Sequence, residues 1–206
     1  EISKKLLLQN KKILVEKPFT LNIDNAKELL SIEKDSVGDI MVGHVMLFHP
    51  AIKKLKEIIE IGEIGNIEYI YSNRLNFGKV RSAENVFWSF APHDISILQY
   101  LIDDYPDSIQ SKGSSFIRKG IFDTVVTFLE YPNNIRAHIF NSWIHPFKEH
   151  KIVIKCKNGM LSFEDSKQEK PLKYHNKKFV LDGSKTLIKN GAHKKEIHFE
   201  GVEPLK

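Results

Sequence analysis

The chain has 206 residues, 41% of them hydrophobic and 28% charged, with a formal net charge of +5. That is enough chain to bury a real core, in one domain or two small ones, with a composition ordinary for a globular protein. No apolar run approaches ~20 residues, which excludes a membrane-crossing helix, and Glu1 to Lys12 has no apolar stretch of signal-peptide type.

The first residues, Ser3 to Gln9, read as the end of a helix, and the chain starts at Glu1 without a methionine. Both features are expected of a piece of a longer protein. Lys12-Ile13-Leu14-Val15 is a short apolar strand closed by Glu16-Lys17-Pro18. An apolar strand followed by a helix predicts a parallel sheet covered on both faces. Ligands of such sheets sit beyond the carboxyl ends of the strands, where Lys17 falls. Thr20 or Asn22 can cap the next helix, with Ile23, Ala26, Leu29 and Leu30 inward. A second strand is predicted over 40–48, carrying Gly43 and His44.

His49-Pro50 opens a helix with Ile52, Leu55, Ile58 and Ile59 on one side, ended by Gly62. From Ile67 the period changes to two. Ile67, Tyr69, Tyr71, Leu75 and Phe77 face one way, and Glu68, Ser72, Arg74 and Asn76 the other. Further strands are predicted over 109–118, 122–130, 135–144 and 151–157. Turns fall at Pro132-Asn133-Asn134 and at Asn158-Gly159, followed by Met160 to Phe163. Residues 164–206 are polar and lysine-rich, with weak strands at 178–181 and 196–199.

The expected fold is thus α/β plus α+β: a βαβ remnant over residues 1–48, then a substrate-binding and oligomerisation domain over 49–206. That second part is a large, mainly antiparallel sheet with helices on one face. No glycine-rich phosphate loop is present in the sequence.

The chain is organised around Val86-Phe87-Trp88-Ser89-Phe90-Ala91-Pro92-His93-Asp94-Ile95. Ile95, Leu98, Leu101 and Ile102 recur at helical spacing. Pro92 suits a first helical turn and Asp94 the positive end of a helix dipole. His93 would then lie at a helix N-terminus, where a positive potential keeps the ring neutral and able to accept a proton.

Glu16-Lys17-Pro18 resembles one family when taken with Gly43-His44, His49-Pro50, Gly62-Glu63-Ile64-Gly65 and Ala91-Pro92-His93-Asp94-Ile95-Ser96. That family is the Gfo/Idh/MocA family of NAD(P)-dependent oxidoreductases. Phe140 to Lys148 is similar to the branch acting at C3 of UDP-N-acetylglucosamine-type sugars. The resemblance implies an N-terminal Rossmann domain, most of it outside this sequence, and a sheet domain that binds substrate and forms dimers. It implies that Lys17 contacts the nicotinamide ribose and the reacting hydroxyl, and that His93 is the general acid/base. Glu16, Lys17 and Pro18 are the expected contacts to NAD or NADP. Asn73, Arg74, Trp88, Ser89 and Asp94 are the expected substrate contacts, with Lys148 a further candidate for an anionic group. Many relatives carry an aspartate four residues before the histidine; here that position is Ser89.

Other readings compete. A His-Asp pair also suits an HD-type phosphohydrolase, but that chemistry needs further metal ligands on neighbouring helices, and His44, His49, His138 and His145 fall on or beside strands. His145 and His150 lack a zinc-site context, and no metal is expected. Lysines cluster at 53, 54 and 56, from 167 to 178, and at 194–195; the first set reads as a solvated helix face, and with no recognised motif beside the charge neither nucleic acid nor membrane is an expected partner. The lone Cys156 excludes an internal disulfide and fits a reducing compartment, hence the cytoplasm. A non-catalytic alternative makes the sheet face an oligomerisation surface.

Overall fold

The computed structural model describes residues 1–181, 187–191 and 193–200. The chain divides into two compact units, Glu1–Val45 and a larger one beginning at Met46.

In the first unit, helix α1 (Ile2–Leu8) precedes strand β1 (Lys12–Val15), helix α2 (Ile23–Lys34) and strand β2 (Asp39–Val42). The strands pair in parallel, Lys12 with Asp39 through Val15 with Val42, as a βαβ crossover requires. Of the two candidate caps for α2, Asn22 serves: its side chain accepts from the Asp24 amide at 2.7 Å. Leu29 is the buried residue of that helix. The sheet is not covered on both faces by the described residues, since Leu14 is 67% and Met41 49% exposed.

The strand expected over 40–48 stops at Val42. The Gly43 amide donates to the Val15 carbonyl and the His44 amide to the Val42 carbonyl, both at 2.7 Å. These bonds close the ladder, and Val45–Phe48 turns into a 3-10 helix. Helix α3 (Pro50–Ile61) follows with the boundaries its sequence signals demand. The His49 ring accepts from the Ala51 amide, Pro50 fills the first turn, and Gly62 closes the helix at φ 79°.

Strand β3 (Ile67–Phe77), helix α4 (Val86–Ile102) and strands β4 (Ser108–Ser114), β5 (Thr124–Glu130), β6 (Arg136–Ser142), β7 (Ile144–Cys156), β8 (Gly159–Glu164) and β9 (Leu172–His175) build the second unit. Strands β10 (Lys178–Leu181) and β11 (Leu187–Asn190) form a separate antiparallel pair, and β12 (Lys194–Glu196) joins the main sheet. The eight-stranded order is β12-β9-β8-β7-β3-β6-β5-β4, antiparallel except where β3 runs beside β6. This is the large, mainly antiparallel sheet expected. The strand anticipated over 196–199 ends instead at Glu196, and β9 went unpredicted within the lysine-rich tail.

The core lies between the sheet and helices α3 and α4, and the register stacks it in rows. Leu129, Ala137, Ile70, Ile154 and Leu161 form one row across β5, β6, β3, β7 and β8. Thr127, Ile139, Ser72, Ile152 and Phe163 form the next.

The expected faces of β3 are only partly right. Register shifts at Ile67/Tyr69 and at Leu75/Phe77 break the alternation. Between them Ser72 and Arg74 are buried at 3% and 8%, while Phe77 is 81% exposed. Ser72 and Arg74 therefore point into the core layer. Tyr71 lies on the open face, its ring stacked on His138 at 5.6 Å and 9°.

Candidate active site

Helix α4 begins earlier than Pro92 suggests. Asn85 is its cap, the side chain accepting from the Trp88 amide at 3.1 Å. Pro92 lies inside the helix, so His93 is about two turns from the N-terminus. The dipole argument for a neutral His93 lapses, because that field fades within the first turn. The same correction applies to Asp94, which meets side chains instead of a helix end.

Asp94 is 1% exposed. Its Oδ1 accepts from Ser72 Oγ at 2.8 Å, and both its oxygens from Arg74 Nε at 3.2 Å. Arg74 Nη2 adds a contact at 3.2 Å, and Asn141 Nδ2 reaches Oδ2 at 3.1 Å. Burial of this kind is tolerable only because the charges are paired and the remaining lone pairs are bonded. The next row of the sheet supplies it: Val125, Asn141, Arg74 and His150 stand side by side on β5, β6, β3 and β7. Burial, followed by the charges of Arg74 and Lys148, pushes His150 down to about 4. It is therefore neutral beside the ion pair.

His93 and Ser89 are one helical turn apart, so their side chains share a face of α4. Ser89 is 5% exposed and Trp88 39%. Ser96 Oγ donates to the His93 carbonyl at 2.9 Å. Asn73 does not join Arg74: adjacent strand residues face opposite ways, and Asn73 Nδ2 donates to Glu149 at 2.6 Å. Lys148 is exposed. Sequence reasoning missed Ser72, Asn141 and His150 as partners in this network. The available signal was the pair of polar residues Ser72 and Arg74 two apart on a strand otherwise rich in apolar ones.

In the segment between β4 and β5, Asp123 is fully buried. Burial pushes its carboxyl up, but the Ile117 amide, the Trp143 indole and the Phe116 amide hold it below the usual carboxylate value. The bond from the Val86 amide to the Phe122 carbonyl ties this knot to the first turn of α4.

In the first unit, Glu16, Lys17 and Pro18 leave the C-terminal end of β1. Gly43 sits against them: a Cβ there would lie 3.3 Å from Glu16 Oε2 and 3.5 Å from the Val15 carbonyl. Burial lowers the pKa of His44 beside it. Elsewhere, burial pushes the Cys156 thiol up to about 11, which suits a packed strand residue and not a nucleophile. His145 packs edge-on against Phe147 at 4.5 Å. Among the described residues no three His, Cys, Asp or Glu side chains gather as a metal shell would need, and no helix is long and apolar enough to cross a membrane.

A sheet with helices on one face, following a βαβ unit, defines a class of two-part α/β proteins. Residues 52–162 match the GFO/IDH/MocA C-terminal domain, and the chain belongs to that family. It is 30% identical over 142 residues to the uncharacterized oxidoreductase YrbE of Bacillus subtilis, covering 64% of this chain and 42% of that protein. Among solved structures, UDP-N-acetylglucosamine 3-dehydrogenase GnnA from Acidithiobacillus ferrooxidans superposes with a TM-score of 0.82 at 18% identity, covering 99% of this chain and 61% of that one. An inositol dehydrogenase homolog from Azotobacter vinelandii, complexed with NADH and myo-inositol, gives 0.78 at 16% identity, covering 92% and 52%. The chain spans about half the length of the curated relatives it matches.

Proposed function

We propose that this chain is the catalytic and substrate-binding part of an NAD(P)-dependent oxidoreductase acting on a sugar hydroxyl. The observation that carries the reading is His93 on a helix of the matched domain, next to an Asp94 that buried polar bonds pin to the sheet. The family supplies the class. Relatives named as inositol and UDP-sugar dehydrogenases support a polyhydroxylated substrate. Of these, a nucleotide sugar oxidised at C3 fits the Phe140 to Lys148 segment.

Glu16, Lys17 and Pro18 would hold the nicotinamide end of the dinucleotide. The fit is reasonable: they leave the carboxyl end of a parallel strand, where such ligands bind, and glycine at 43 leaves room beside them. The dinucleotide, when bound, supplies a hydride acceptor or donor at C4 of its ring. In the proposed chemistry His93 takes the hydroxyl proton as the carbinol is oxidised and returns it in reduction. The Lys17 ammonium stabilises the charge that develops on the oxygen. Trp88 and Ser89, on the same helix as His93, are the proposed sugar contacts. Arg74 and Asp94 are too deeply engaged to be direct ones.

The open face of the sheet supports a homo-oligomer. Tyr71 stacks on His138, Tyr69 hydrogen-bonds to the same ring, and Phe128 beside them is 55% exposed. This second reading accompanies the enzymatic one, and the compartment proposed for both is the cytoplasm.

The test uses the full-length polypeptide. It is expected to reduce NAD or NADP with UDP-N-acetylglucosamine in preference to myo-inositol. His93→Ala is expected to lower kcat by ~10²–10⁴-fold, and Lys17→Ala to lower it comparably. Preference for inositol would reject the nucleotide-sugar assignment. Turnover that survives both substitutions would reject the roles given to the two residues.

A further inference from the structure

Among the buried residues of α4, Ala91, Asp94, Leu98 and Leu101 recur at helical spacing. One carboxylate interrupts an apolar seam, and the sheet answers it with Ser72, Arg74 and Asn141 from β3 and β6. Stability alone does not account for this choice. Replacing a buried ion pair by apolar side chains of similar size is often neutral or stabilising. What such a pair adds is direction. An apolar seam tolerates sliding and rotation, whereas a guanidinium fork and a carboxylate bond in few orientations.

The need for direction is local. Pro92 has no N–H, so the Trp88 carbonyl loses its helical donor one residue before His93. The turn that leads to His93 is therefore short of one helical hydrogen bond. Adjacent helix residues are set ~100° apart around the axis, so any rotation that loosens Asp94 swings His93 by the same angle. We propose that Arg74 and Asp94, with Ser72 and Asn141, are positioning residues that fix the rotation of α4 and thereby the direction of the His93 imidazole. This rests on the reading of His93 as the proton-transfer group, and it gives Arg74 and Asp94 a role other than substrate contact.

The experiment compares the full-length protein with Asp94→Asn and with the paired change Arg74→Met/Asp94→Leu, each also in a His93→Ala background. Thermal midpoint, kcat, KM and the His93 ring resonances of histidine-labelled protein are recorded for all. The paired variant is expected to keep its thermal midpoint while kcat falls ~10–100-fold, the scale of a misplaced catalytic group. KM should stay within about threefold, since substrate contacts are untouched. Asp94→Asn, which keeps the shape and part of the bonding, should lose less. In the His93→Ala background neither change should lower kcat further, because both act through the missing ring.

A paired variant of wild-type stability and unchanged kcat overturns the proposal, as does a full additive loss on top of His93→Ala. If His93→Ala alone leaves turnover intact, it is the proton-transfer reading that has failed. The ring resonances then decide the positioning role by themselves: displaced or broadened His93 signals in the paired variant support it, and unchanged ones overturn it.

Discussion

Helices α3 and α4 cover the same face of one sheet by different means. Helix α3 buries Ala51, Ile52 and Leu55, all at 0% exposure, with no polar group among them. Helix α4 places a carboxylate in the middle of its seam and reaches two strands with it. Apolar burial gives α3 adhesion, worth ~1.5–3 kcal/mol for each large side chain. The polar anchor gives α4 orientation. Where only attachment is needed the chain uses leucine and isoleucine; next to His93, the proposed proton-transfer group, it accepts the cost of a buried ion pair.

Substitutions sharpen that contrast. Leu55→Ala in α3 should cost ~2–5 kcal/mol in chemical denaturation, as a cavity in a packed layer does. The kcat per folded molecule should be unchanged. A large drop in kcat at this site would erase the distinction between the helices.

Trp143→Phe keeps most of the ring volume but leaves Asp123 Oδ1 without the indole donor at 2.7 Å. A loss of ~1–3 kcal/mol is expected, read as a lower urea midpoint. Because this knot is tied to the start of α4, partial loss of kcat would extend the orienting role to the N-terminal turn.

The neutral His150 gives the polar row a pH signature. Its folded pKa of about 4 lies below the ~6.5 of an unfolded histidine. Unfolded chains therefore bind a proton that the folded protein resists. Its contribution to stability is complete above about pH 6.5 and is lost as the pH falls toward about 4. His150→Gln should flatten that part of the thermal midpoint against pH. An unaltered slope would show that other groups carry it.

The smallest effect is expected at the C-cap of α3. Gly62 sits at φ 79° with nothing near its missing Cβ. Gly62→Ala should cost ~1 kcal/mol through backbone strain alone. A larger loss in thermal midpoint would mean that the turn does more than end a helix.

How far the sequence disclosed this arrangement depended on how local the signals were. Helix α3 was fully legible, because His49, Pro50 and Gly62 each act within one turn. The parallel β1–β2 pair, the turns near Pro132 and Asn158, and the mainly antiparallel sheet were legible for the same reason. The start of α4 was not. Val86 to Phe90 shows no clean period because Val86 is fully buried and Phe87 and Phe90 pack beside it in one cluster with Trp143. Pro92 consequently passed for a helix start. The faces of β3 were misread because bulges leave no mark in the strand's own residues. The anchor around Asp94 needs residues 72, 74, 94 and 141 in one place, a matter of register that no single stretch encodes. Lys17 was legible from its place at the end of an apolar strand and His93 from the run leading to Asp94, while the resemblance gave both their roles.

The position of β3 at the centre of the sheet has a consequence for how the chain reaches its native state. Its partners are β6, which it joins in parallel, and β7, whose Cys156 pairs with Ile67. Both arrive late in the sequence, after α4 and the β4–β5 hairpin. The strand that holds Arg74 therefore cannot complete its ladder until a long loop has closed, a contact pattern that slows folding. Helix α4 can form and collapse onto apolar neighbours well before that, but Asn141 reaches Asp94 only once β6 has docked. One arm of the polar anchor thus depends on a pairing made across a long stretch of chain, while the Ser72 and Arg74 arms come from a strand close to α4 in sequence.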